Sequence, residues 1–331
     1  MSEPISDSLP EVVATYPPRQ AARIRFAIPL LLLLATFCTT VLVGARLQFN
    51  FNHNLDAFAN GSELIPLFPV EWIWQAPRLL LAGIPFSLAV MGILLAHEMG
   101  HYLYCRHYGV RATLPFFIPA PTLIGTLGAF IRIGSFIESR AALFDIGIAG
   151  PIAGFVVAVP TMFVGLAMSH PVSSSPDPDL QLGYPLIFHL ANALLHPGAS
   201  GMAHLYLHPV ALAGWAGMLA TALNLLPGGQ LDGGHIVFSI APGVHRVVSG
   251  AMVAALVAMA WYFWVGWMVW AILLALSGLQ RPNVPARPGI GGRRHWLAWA
   301  ALAILVLSFT PAPVQNDTFP QVARMIKHGH R

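Results

Sequence analysis

Long apolar runs separated by short polar stretches organise this chain. Phe26–Gly44 is the first run, and at roughly 20 residues it is long enough to cross the hydrocarbon core of a bilayer. Similar runs cover Leu79–Tyr104, Phe144–Met168, about Leu205–Leu226 and Trp296–Thr310. Val247–Leu276 is too long for one span and short for two, which need about 20 residues each; a tight helical hairpin crossing twice is expected there. The pattern predicts an all-α polytopic membrane protein with about six to seven transmembrane helices.

One segment breaks the helical pattern. Ala112–Phe136 reads ATLPFFIPAPTLIGTLGAFIRIGSF, and Pro115, Pro119 and Pro121 forbid a continuous helix. Two β-rich pieces around a Pro/Gly break predict a hairpin-like or re-entrant loop after the second span. Irregular backbone at membrane depth survives only where protein or a wet cavity covers it. The 45–78 loop, rich in aromatics, is expected to be partly interfacial. The 169–204 loop is polar, with an apolar YPLIFHLANALLH stretch expected to lie on the surface. Residues 1–25 read as a disordered tail and 311–331 as a second polar tail, around a membrane domain at 26–310. Val43-Gly44-Ala45 offers small residues of the kind found at a cleavage site, but the length of the first run favours an uncleaved anchor.

Composition narrows the class. The chain is 56% hydrophobic and 9% charged, with mean hydropathy +0.67; soluble domains carry about 25% charged residues. The net charge is +4, but the basic residues sit at the ends of apolar runs, which suits membrane topology and excludes a nucleic-acid partner. Cys38 and Cys105 are too few for a disulfide framework. Arg19, Arg23 and Arg25 precede the first run, which puts the N-terminus in the cytoplasm. Counting charge onward, the His97–His101 end of the second span and Asp232, just beyond the fourth, fall at one depth on the cytoplasmic side. The expected location is the plasma (inner) membrane of a bacterium.

Within the second run stands LLAHEMGHYLY, with a carboxylate and two imidazoles where such groups are costly. Residues four apart share a helix face, so His97 and His101 can offer two nitrogens to one Zn2+, with Glu98 beside them as general base for a metal-activated water. Hydrolytic zinc takes a third protein ligand. Cys105 continues the stripe, but eight residues at 1.5 Å rise put it about 12 Å from His97, so it reads as a packing residue. Asp232, in QLDGGH, is the only carboxylate between Asp179 and Asp317 and lies at the matching depth, so it reads as the third ligand. It can equally serve as a helix N-cap after the Pro227-Gly228-Gly229 turn. His204 and His208 are also four apart but lack an accompanying base, and read as an interfacial pair; the His328–His330 pair in the tail reads as incidental. The small residues of Gly150-Pro151-Ile152-Ala153-Gly154 are expected to let helices approach closely.

Taken together, HEMGH in an apolar run, then AGPIAG, then NLLPGGQLDGGH, resemble the site-2 protease family of intramembrane zinc metalloproteases, M50-type, from about residue 79 to 240. The stretch FFIPAPTLIGTLGAFIRI is similar to its EGY-like subgroup. The resemblance implies one zinc ion held by His97, His101 and Asp232, with Glu98 as catalytic base and Asn224 as a substrate or oxyanion contact. It also implies cleavage of transmembrane segments of other membrane proteins within the lipid bilayer. Asn224 has a plainer role as an interhelical hydrogen-bonding residue, and His235 either supports the metal site or caps it. No stretch is long and polar enough for the PDZ or CBS domain that many members carry. The Ala112–Phe136 hairpin either holds an unwound substrate by strand addition or packs without touching it. A zinc or proton transporter using the same polar residues is the rival reading, though no internal repeat is evident; a catalytically silent scaffold is a second, against which the intact Glu98 speaks.

Overall fold

The computed structural model describes residues 19–58, 69–171, 181–197, 201–202, 205–278, 284–285, 289–315 and 318–321. Much of the expected N-terminal tail, most of the expected C-terminal tail, and His204 lie outside the described residues. The first helix, α1, runs Arg19–Asn52, so it begins inside the expected tail and continues past Gly44. Gly44 does not end the helix because it serves packing: a side-chain carbon there would sit 2.6 Å from the Gly83 carbonyl oxygen. Two short helices, α2 (Trp72–Gln75) and α3 (Pro77–Leu81), lead into α4 (Ile84–His107).

The non-helical segment is an antiparallel hairpin of β1 (Phe116–Pro119) and β2 (Thr126–Phe130), with Phe116 opposite Phe130 and Phe117 opposite Ala129. Its turn is tied to α1. Thr39 Oγ1 donates to the Gly125 carbonyl at 2.7 Å, and Gly125 adopts φ +80°, a conformation that favours glycine. β1 packs against α1, while β2 turns toward α4.

Ser139 caps α5 (Arg140–Ala167) by accepting from the Ala142 N–H. Beyond it, β3 (His170–Pro171) pairs with β4 (Leu205–Tyr206). Helix α6 (Leu186–Leu195) holds the apolar stretch expected on the surface; instead Phe188, Ala191 and Asn192 are buried, because one face docks on the main core. The fourth apolar run yields α7 (Pro209–Asn224), only 16 residues long and buried along most of its length. It packs against α4 and α5.

Asp232 opens the nine-residue α8 (Asp232–Ile240). The long 247–276 run forms a helical hairpin, α9 (His245–Tyr262) and α10 (Trp267–Gly278), joined by a tight turn. With 12 residues, α10 rises about 18 Å, short of the roughly 30 Å hydrocarbon core, so the expected double crossing exceeds its length. The last helix, α11 (Gly292–Ser308), lies against α5 and α7. Among the described residues, four helical segments are long and apolar enough to cross a membrane: Phe26–Asn52, Pro77–His107, Arg140–Ala167 and His245–Tyr262. The chain is thus mostly helical and built as a membrane protein.

Phe86, Ile93, Met162, Leu166 and Met218 fill the core where α4, α5 and α7 meet. In lipid the surroundings are as apolar as the core, so burial itself contributes little, and close packing and hydrogen bonds hold helices together. Thr40 Oγ1 and Ser87 Oγ, both buried, are 2.6 Å apart between α1 and α4. At the foot of the bundle Arg294 forks Asp145, Nε to Oδ1 at 2.8 Å and Nη2 to Oδ2 at 2.7 Å, and Tyr108 donates to the same carboxylate. The hydrogen bonds to Asp145 hold the Arg294 guanidinium above its ordinary pKa.

Candidate metal centre

Three side chains from two distant parts of the chain converge at one point. His97 and His101 lie on the buried face of α4, and Asp232 is the first residue of α8. Asp232 Oδ2 is 3.3 Å from His97 Nε2 and 3.3 Å from His101 Nε2, and the two Nε2 atoms are 3.2 Å apart. Four-coordinate tetrahedral zinc with bonds of about 2.0–2.1 Å implies ligand separations of roughly 3.3–3.4 Å. The triangle therefore has the dimensions of one tetrahedral face.

The donor chemistry fits as well. His101 Nδ1 is 2.7 Å from the Ile146 carbonyl oxygen, which can only accept, so the proton of a neutral ring sits on Nδ1 and Nε2 presents a lone pair. A second imidazole nitrogen and a carboxylate oxygen face that lone pair. Such a convergence of acceptors calls for a cation between them. These are the only three His, Cys, Asp or Glu residues that could share a metal ion among the described residues.

Helix α5 makes room for the rings. A side-chain carbon on Gly150 would lie 2.1 Å from His101 Nε2, and one on Gly154 would lie 3.1 Å from His97 Nδ1. The small residues expected to bring helix backbones together thus face the two imidazoles. Gly100 of α4 meets α5 directly, since a side-chain carbon there would fall 2.5 Å from the Ala149 carbonyl oxygen. Spacing could have matched Gly150 and Gly154 to His97 and His101, because both pairs are four apart and two packed helices keep such periods aligned.

Glu98 is buried beside the triangle and borders one cavity with Ile131, the residue just past β2. It lines a cavity of about 460 Å3 together with Phe130, Ile131, Asn224, Gln230 and His235. The Asn224 amide nitrogen is 3.3 Å from His97 Nε2. His235 borders the same cavity, with Nδ1 buried and no hydrogen-bond partner. Nothing in the sequence setting of Gln230 separates it from an ordinary turn residue. Cys105 is buried against Val110 and Ile146, as a packing residue. His208 is remote from the triangle: it caps α7, accepting from the Val210 N–H at 3.3 Å.

The model of peptidase family M50 matches residues 85–266, more than half of the chain. Among curated relatives, the "Probable zinc metalloprotease EGY1, chloroplastic" of Arabidopsis thaliana is 38% identical over 47% of this chain and 29% of its own length. The "Probable zinc metalloprotease EGY2, chloroplastic" of the same plant is 33% identical over 49% of this chain and 30% of its own. The EGY3 protein of Oryza sativa subsp. japonica, similarly named, is 25% identical over 71% of this chain and 43% of its own. The chain spans less than a third of the length of the first two. These relatives correct the expected location. They are plant proteins named chloroplastic, which contradicts the expectation of a bacterial plasma membrane. Charge counting fails here for a physical reason: it orders the two sides of a bilayer and does not say which bilayer. The labels placing the N-terminus and the site toward a bacterial cytoplasm fall with it. The match over residues 85–266 takes in His97, Glu98, His101 and Asp232, and by it the chain belongs to peptidase family M50.

Proposed function

We propose that this chain is a zinc metalloendopeptidase that hydrolyses peptide bonds in or near transmembrane segments of membrane proteins. The observation that carries the reading is the triangle of His97, His101 and Asp232, at 3.2–3.3 Å on each edge, with the Glu98 carboxylate beside it. Zinc, when bound, supplies Lewis acidity toward water and the scissile carbonyl. The other tasks belong to side chains. His97, His101 and Asp232 hold the ion, and the Ile146 carbonyl keeps the His101 ring in the ligating tautomer. Glu98 takes the proton of the attacking water and delivers it to the departing amine. Asn224, at the rim of the triangle, hydrogen-bonds the substrate carbonyl or the oxyanion that forms from it.

A membrane substrate must leave its helical form before its amide is open to attack. β2 pairs with β1 on one edge only, among the described residues, and its end at Ala129 and Phe130 lines the same cavity as Glu98. An extended segment adding to its open edge would run past the metal triangle. Exposed Leu127 and Phe130 give that surface an apolar character suited to a membrane-derived segment. The catalytic core in this reading is residues 79–240, and the chain ends are accessory to it.

Glu98→Gln tests the assignment. In reconstituted membranes it should cut cleavage of a model membrane substrate by at least about 100-fold, the lower end of general acid–base contributions. Stoichiometric zinc should remain. Persisting cleavage would remove Glu98 as the base, and zinc flux across liposomes by both proteins would favour transport instead.

A further inference from the structure

His245 and Ser249 lie one turn apart on α9, each 1% exposed, and neither touches the metal triangle. Both reach back to the turn that precedes Asp232. The Gly229 N–H donates to Ser249 Oγ at 3.0 Å, and the Gly229 carbonyl accepts from His245 Nε2 at 3.2 Å. One helix face thus holds both polar groups of a single residue. The Ser249 hydroxyl then donates to the His245 carbonyl at 2.8 Å, so it is used both as acceptor and as donor. Since a carbonyl only accepts, the His245 proton sits on Nε2. Its buried Nδ1, which has no partner, keeps a lone pair.

Gly229 is held in a left-handed conformation, φ +58°. Its carbonyl oxygen also abuts α8: a side-chain carbon on Gly234 would lie 2.3 Å from it. One on Gly233 would lie 2.2 Å from the Leu225 carbonyl oxygen. The turn and the first residues of α8 are therefore in direct backbone contact with no slack. A shift of Gly229 moves the start of α8, and Asp232 is that start. The Phe238 ring of α8 and the His245 ring stand nearly perpendicular with centroids 5.6 Å apart, a second contact between the same helices.

We propose that His245 and Ser249 are positioning residues for Asp232: by gripping Gly229 from α9 they fix where α8 begins and hold the Asp232 carboxylate against His97 and His101. The proposal rests on reading those three residues as the zinc site. Without the grip, α8 keeps its helix but loses its anchor, and the third ligand drifts relative to the two fixed by α4. A displacement of a few tenths of an ångström matters at a metal centre, and partners that orient a ligand typically carry a 10–100-fold effect on metal affinity.

The test measures zinc affinity of the full chain in detergent, by competition with a chromophoric chelator, alongside helicity and melting temperature. Ser249→Ala and His245→Phe should each weaken zinc binding about tenfold, and the double variant only slightly more, since both act on one residue. Ser249→Thr, which keeps the hydroxyl, should restore most of the affinity. Lower melting temperatures with unchanged zinc affinity would mean a purely structural role and overturn the proposal. If Ser249→Ala does not fold, His245→Phe decides alone, and wild-type affinity there overturns it. Failure of the unsubstituted chain to bind zinc would instead overturn the metal-site reading itself.

Discussion

Helices α4 and α8 bring the three residues proposed as zinc ligands to the same point by different means. Helix α4 is 24 residues long, packed along α5, and its two imidazoles sit over glycines that leave room for them and nothing larger. Helix α8 has nine residues, and its Asp232 is set through hydrogen bonds to a turn three residues upstream. A long helix places its residues through packing repeated at every turn, one of the terms that hold helices together in lipid. The nine-residue α8 also packs on α5, with Ile236 in a core cluster beside Phe144 and Ile148, but the turn before its first residue is held in addition by directional bonds. The two halves of the centre should therefore fail differently: the α4 half to added volume, the α8 half to lost hydrogen bonds.

The largest effect is expected on the packed side. Gly150→Ala puts a methyl 2.1 Å from His101 Nε2. The ring cannot retreat without breaking its 2.7 Å bond to the Ile146 carbonyl. Zinc affinity should fall by more than about 100-fold, the upper end for groups that orient a ligand, since here the ligand atom itself is displaced. Metal content after dialysis measures this. Near-normal zinc in a folded Gly150→Ala protein would show that α4 and α5 are not packed as tightly as the comparison requires.

Gly154→Ala sharpens the same point at lower amplitude. Its methyl would lie 3.1 Å from His97 Nδ1, a gap that closes if the ring gives by a few tenths of an ångström. About a tenfold loss of zinc affinity is expected, comparable to the hydrogen-bond variants of α9. An effect equal to that of Gly150→Ala would mean that α5 acts as one rigid wall and not residue by residue.

Much of this was legible in the sequence where a pattern repeats. That His97 and His101 share one buried face of α4 follows from helical spacing. Asp232 follows from being the sole carboxylate over a long stretch at matching depth. The break at Ala112–Phe136 follows from three prolines and appears as the β1–β2 hairpin. What stayed hidden depends on tertiary contact. Gly44 reads as a possible end of a run yet lies inside α1, because only the fold supplies Gly83 opposite it. The apolar stretch of α6 looks like a surface helix until Phe188 is seen in the core. Gly229 looks like any turn glycine, since its two partners stand on a separate helix. The number of crossings was the least legible, because α7 is apolar for burial and α10, apolar throughout, is only 12 residues long.

The smallest effect is expected from Arg294, which lies outside the stretch that matches the family model. Its fork onto Asp145 is bidentate, a third nitrogen donates to the Ile290 carbonyl at 2.7 Å, and the Arg294 side chain is 28% exposed. Partly exposed ion pairs contribute about 0–1 kcal/mol, with good bidentate geometry at the upper end. Asp145 also stands next to Ile146, whose carbonyl steadies His101. Replacing Arg294 with Met keeps the aliphatic stem and removes the fork. If the packed side of the centre is held by volume, Arg294→Met lowers the melting temperature by about 2–4 °C, or less in so long a chain, and leaves zinc affinity nearly unchanged. A loss of affinity matching Gly154→Ala would show that His101, like Asp232, depends on a directional clamp, and the distinction between the two halves of the centre would collapse.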